Sequence, residues 1–125
     1  MTEPDRTDPE PTAEALFALL WNGLVDVLGS SATATLVRRA AKHGARKDQR
    51  LQQLVIQRPT FEYEYIVPQE WKVDAQGRDA LLVLVRALCP LLEELTGGIV
   101  IHRLSAIPEL VRARLIADDE ARTDS

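Results

Sequence analysis

A single cysteine, Cys89, stands among 125 residues. It cannot close an internal disulfide, so a reducing compartment is expected, the cytoplasm of a bacterium. No basic-then-apolar leader opens the chain. No apolar run reaches the about 20 residues that a bilayer-spanning helix needs, so no membrane span is predicted. An excess of positive charge is also missing. The formal charge is −4, which argues against a nucleic-acid binder because such domains are usually basic.

Catalytic signatures are missing too. The chain has no G-x-G-x-x-G, no Walker loop, no G-x-S-x-G nucleophile elbow and no C-x-x-C or C-x-x-C-H. No residue is therefore assigned to catalysis, to a cofactor or to a metal, and the chain is read as non-enzymatic. Glu62 and Glu64 on an exposed strand face, with His102 on a neighbouring strand, are the nearest approach to a metal or acid–base set, and further ligands are lacking.

What is present is an ordinary globular composition, 46% apolar and 27% charged, of one-domain length. Residues 1–11 combine three prolines with five charges and are expected to be a disordered acidic tail. Residues 12–117 form a single α+β domain, and 118–125 a mobile acidic end.

The architecture centres on residues 78–104, RDALLVLVRALCPLLEELTGGIVIHRL. Leu81, Val85, Leu88, Leu92 and Leu95 recur at steps of four and three, the face of a helix. Asp79, Arg86, Glu93 and Glu94 form its thin polar stripe. Pro90 should kink or divide it, at reduced cost because the carbonyl released belongs to Arg86 on that stripe. Gly97 caps the helix, and the β-branched run Ile99, Val100, Ile101 then reads as an inner strand.

Ahead of this unit, Thr12 caps a first helix with Leu16, Leu19, Leu20, Leu24 and Val27 on one face. Gly29 ends it, and a second helix runs to about His43. Residues 51–57 and 60–67 read as a β-hairpin, with Phe61, Tyr63, Tyr65 and Val67 inward and Glu62 and Glu64 outward. Ser105 caps a final helix over 106–117, with Pro108 in its first turn. The predicted order is α-α-β-β-α-β-α, about four helices over a small three-stranded sheet.

Three places carry candidate function. Arg38, Arg39, Lys42, Arg46, Lys47 and Arg50 form a basic patch in an acidic chain, suited to phosphate, nucleic acid or an acidic protein surface. Arg38, Lys42 and Arg46 share one face only if the helix continues past Gly44. Phe17, Trp21, Phe61, Tyr63 and Tyr65 are candidates to line a small-molecule site between the first helix and the hairpin. Leu84, Leu91 and Trp71 are candidates for an interface, Trp71 because it sits amid polar residues.

These features lead to a non-enzymatic adaptor or regulatory protein that works through protein contacts, with an unidentified protein partner and self-association into a homo-oligomer. The alternatives are a small-molecule sensor using the aromatic layer, and nucleic-acid or phosphate binding through 38–50. Helix-turn-helix geometry over 16–43 is weakened by the lack of phosphate-contacting residues near the turn.

Overall fold

The computed structural model describes residues 11–58, 62–72 and 77–116. The acidic tail up to residue 10, the hairpin tip with Phe61 and the end from 117 lie outside them.

Thr12 opens α1 (Ala13–Leu28), its Oγ1 accepting from the Ala15 N–H at 3.1 Å. Leu16, Phe17, Leu20, Trp21 and Leu24 form its buried face. Gly29 both closes α1 and starts α2 (Ser30–Gly44). Its N–H donates to the Val25 carbonyl at 2.8 Å, and its own carbonyl accepts from the buried Thr33 hydroxyl at 2.8 Å. Gly29 has φ 85°, and nothing lies within 4 Å of where a Cβ would stand. Glycine is needed there for the backbone angle and not for space.

After α2 the chain makes a 3₁₀ turn, η1 (Gln49–Gln53), then β1 (Val55–Gln57) and β2 (Glu64–Ile66). The strands are antiparallel, with Val55 facing Ile66, Ile56 facing Tyr65 and Gln57 facing Glu64. Ile56 and Tyr65 turn toward the core, while Val55 and Ile66 are exposed. The expected alternation therefore holds at Tyr63, Tyr65 and Val67 against Glu62 and Glu64. The strands are shorter than predicted, because Leu51 is drawn into a 3₁₀ turn and buried beneath α2.

A second 3₁₀ turn, η2 (Gln69–Lys72), leads toward α3 (Arg78–Thr96), the long central helix. Ala80, Leu81, Leu84, Val85, Leu88 and Leu92 form its buried face. Pro90 does not divide it. Pro90 and Arg86 both face solvent, so the carbonyl that loses its donor is open to water. Gly97 ends α3 with φ 67°, as the sequence predicts.

The sheet has two strands among the described residues, not three. The run expected as an inner strand is a helix, α4 (Ile99–Leu104). Val100, Ile101 and Leu104 are buried, whereas Ile99, His102 and Arg103 are exposed, a helical spacing. After Gly97-Gly98 the chain folds back onto α1, where a Cβ on Gly23 would lie 3.0 Å from Leu104 Cδ2. With no strand edge at that position, the backbone satisfies itself by coiling, and packing overrides β-propensity.

The final helix is also shorter than predicted, α5 (Pro108–Arg112). Ser105 terminates α4 and does not cap α5: its N–H donates to the Ile101 carbonyl at 3.0 Å and its Oγ to the His102 carbonyl at 2.6 Å. Arg114, at φ 64°, reverses the chain so that Leu115 and Ile116 fold back into the core. The observed order is thus five α-helices and one hairpin among the described residues, mostly helical α+β.

Trp71 and Leu84 are both fully buried, which removes them from any surface. Trp71 lies 5.8 Å from the Phe17 ring, and Gly77 packs directly on the indole, where a Cβ would stand 2.9 Å from Trp71 Cα. Of the neighbours of Trp71 in the same 3₁₀ turn, Gln69 and Lys72 are exposed and Glu70 is half-buried. Replacing Trp71 with Ala is expected to lower unfolding free energy by about 3–5 kcal/mol in urea denaturation. Gly44 lies where α2, α3 and η1 meet, and a Cβ there would come 2.6 Å from Leu51 Cδ1 and 3.3 Å from Val83 Cγ1. Gly44→Val is expected to cost about 1–3 kcal/mol by overpacking, read as a lowered urea midpoint.

Candidate binding grooves

The basic patch grows from the end of α2. The chain stays helical through Gly44, and the Ala45 N–H still donates to the Ala41 carbonyl at 2.9 Å. α2 ends at Gly44, the expected stop, and residues 45–47 form the turn that follows, while Leu51 and Val83 close in on Gly44. Arg38 and Lys42 share one face of α2, four residues apart, and Arg46 follows in the turn beside it.

That face borders a groove of about 480 Å³. Its floor is apolar, formed by Ala41, Ala45, Leu51, Leu54 and Ile56, and its rim carries Arg38, Lys42 and Arg46. A second groove, of about 470 Å³, lies on the other side of Arg46 between α2 and α3. Val83, Ala87, Pro90 and Leu91 supply its apolar lining, and His43, Arg46, Lys47 and Arg86 its polar one. Neither groove is lined by a carboxylate.

The six cations do different work. Arg50 belongs to structure, its Nε donating to Asp48 Oδ1 at 2.9 Å and its Nη2 to Oδ2 at 2.6 Å. Arg38 is partly committed, donating through Nε and Nη2 to the Ile56 carbonyl at 3.3 and 2.9 Å and lying 5.8 Å over the Tyr63 ring. This clamps α2 to the hairpin. Arg39, Lys42, Arg46 and Lys47 are exposed, and all but Arg39 line a groove.

The aromatic candidates pack on one another. Phe17 meets Tyr65 edge-on at 4.8 Å, Trp21 lies 5.3 Å from Tyr65, and Trp71 joins them from η2. Tyr63 stands apart beneath the guanidinium groups of Arg38 and Arg58. Phe61 lies outside the described residues. Burial, and next the charge of Glu14, raise the Tyr65 pKa, so its hydroxyl stays protonated at neutral pH. None of the described aromatics lines either groove.

His102 lies on α4, not on a strand beside Glu62 and Glu64. Among the described residues no cluster of three or more His, Cys, Asp or Glu could hold a metal. Cys89 is half-buried, and burial followed by the Glu93 charge raises its pKa, which disfavours the reactive thiolate. At the start of α2, Thr33 and Ala34 are buried and the Thr35 hydroxyl donates to the Ser31 carbonyl at 3.1 Å. Ser30, Ser31 and Thr35 are exposed there.

Of the interface candidates, Leu91 lines the second groove. Sequence reasoning missed Val83, Arg86, Ala87 and Pro90 as groove residues. The signal was the polar stripe of α3, but nothing in the sequence says that the end of α2 lies beside it. No helix among the described residues is long and apolar enough to cross a membrane. The fold defines a small, mostly helical α+β protein with one antiparallel strand pair. Comparison with protein families, curated proteins and solved structures gave no match.

Asp48 offers a pH test. The Arg50 guanidinium holds its carboxyl below the usual range, opposed by burial and aided by the Arg50 backbone N–H at 3.1 Å. A carboxylate with a depressed folded pKa stabilises the fold above its unfolded value of about 3.9, and that stabilisation is lost as pH falls through the folded value. Asp48→Asn keeps a capping oxygen and removes the charge. It is expected to cost under about 1 kcal/mol at pH 7 and nothing once the pH has fallen below the folded value, compared by urea unfolding across pH.

Proposed function

We propose that this protein is a non-enzymatic adaptor or regulatory protein that binds an acidic, apolar-bearing segment of another protein. The observation that carries the reading is the first groove: an apolar floor of Leu51, Leu54 and Ile56 under a rim of Arg38, Lys42 and Arg46, with no carboxylate in the lining. Apolar side chains would bury on the floor while Asp or Glu meet the rim, so that burial supplies affinity and charge supplies orientation.

Two observations rank this above phosphate or nucleic-acid binding. Arg38 and Arg50 already hold protein acceptors, which reduces the charge left for phosphates. The groove floor is also apolar, a poor match for a polyanion backbone. The sensor alternative has less support, because the candidate rings that would line its site contact one another at 4.8–6.2 Å.

Fluorescence polarisation with synthetic peptides that carry Glu and Leu on one helical face tests the reading. Such peptides are expected to bind, and the same peptides with Lys in place of Glu are not. Lys42→Glu is expected to weaken binding about tenfold, whereas Arg39→Glu, outside both grooves, should change it little. Duplex DNA or RNA binding that outcompetes every peptide and falls steeply with salt would overturn the proposal in favour of nucleic acid.

A further inference from the structure

The outer face of α3 changes sign along its length. Arg86, Pro90, Glu93 and Glu94 are all exposed. At 3.6 residues per turn they fall within roughly a third of the helix circumference, with Val83 and Ala87 inside or beside it. After the exposed Asp79 of the first turn the ridge is cationic, because Arg86 lines the second groove together with His43, Arg46 and Lys47 at the end of α2. Toward the C-terminus it is acidic, with Glu93 and Glu94. Pro90 stands at the change of sign.

We propose that a second copy of this chain covers this face, with the two α3 helices antiparallel across a two-fold axis near Pro90. Arg86 and Glu94 are each four residues from Pro90, about 6 Å along the axis in opposite directions. A two-fold there brings Glu94 of the second copy opposite Arg86, with Glu93 opposite Ala87 on the adjacent ridge. The same contacts repeat in reverse, as an isologous interface requires. Val83 and Ala87, both half-buried and on or beside this ridge, give the second copy an apolar strip to cover next to the charge pairs.

The arrangement also suits the backbone. Pro90 donates no hydrogen bond and presents only its ring, so it can sit at the axis without leaving an N–H unpaired. The complementarity belongs to two copies only, since one chain cannot fold its own Glu94 back onto Arg86 eight residues away along a straight helix. The inference rests on the protein-contact reading but uses a different face from the first groove.

Sedimentation equilibrium with charge exchange tests it. The full chain is expected to be a dimer on the order of 50 μM. Arg86→Glu alone, and Glu93→Arg with Glu94→Arg, should each weaken self-association about tenfold or more by opposing like charges. An equimolar mixture of the two variants should recover a dimer, because each then meets its complement. Recovery on mixing also excludes misfolding as the cause of the single losses. Lys42→Glu should leave the dimer intact while weakening peptide binding, which separates this claim from the adaptor reading. A monomeric wild type, or variants that stay apart when mixed, would overturn the interface.

Discussion

The meeting of α2, α3 and η1 at Gly44 is the contact on which the rest of the structure depends. A side chain at that position would press on Leu51 and Val83, so hydrogen alone lets the three segments come together. That proximity buries Leu51, holds α2 along the central helix and brings the cations at the end of α2 beside Arg86 on α3. Both grooves flank this point and share Arg46. The glycine therefore acts through packing, by placing charges from two helices on either side of one apolar seam.

Electrostatics and core packing are linked at the same place. A cluster of six cations would repel itself if nothing distributed it. Arg50 is drawn to Asp48 at the start of η1, and Arg38 is drawn to the Ile56 carbonyl at the hairpin. Each uses a strong charge-assisted bond, the first to fix the turn into η1 and the second to tie α2 to β1. Of the cations left exposed, Lys42, Arg46 and Lys47 border the apolar linings of the grooves. Across the molecule, Phe17, Trp21, Tyr65 and Trp71 form an aromatic wedge among α1, β2 and η2. Its role is to fix the hairpin and η2 against α1, with ring edges and faces in contact.

The sequence spoke most clearly where periodicity was long. Three helical repeats, the caps at Thr12, Gly29 and Gly97, and the inward–outward alternation of Tyr63, Glu64 and Tyr65 all correspond to observed elements. It misled where segments were short. Ile99–Val100–Ile101 is as suited to a strand as to a helix turn by composition, and only the absence of a strand edge beside it decided for α4. Trp71 had polar neighbours in sequence, yet a 3₁₀ turn directs it inward while Gly77 opens room for the indole. Leu84, one of many apolar residues on α3, gave no local sign of which side would be covered.

The basic patch shows the same division within one site. Residues 38–50 announced by composition alone that cations would gather at the end of α2, because charge content and helical step are properties of the chain. Which of them would be held by Asp48 and Ile56, and which would border an apolar floor, depended on residues brought from elsewhere. Arg86 entered the site from a helix some forty positions later, because helix crossing, not sequence distance, sets proximity. Local order, caps and the sign of each surface were thus determined by the sequence itself, since they arise from neighbouring residues and backbone sterics. Burial of Trp71, the helical state of Ile99–Leu104 and the assembly of the two grooves were decided only by the tertiary structure, because each depends on what a distant segment covers or leaves open.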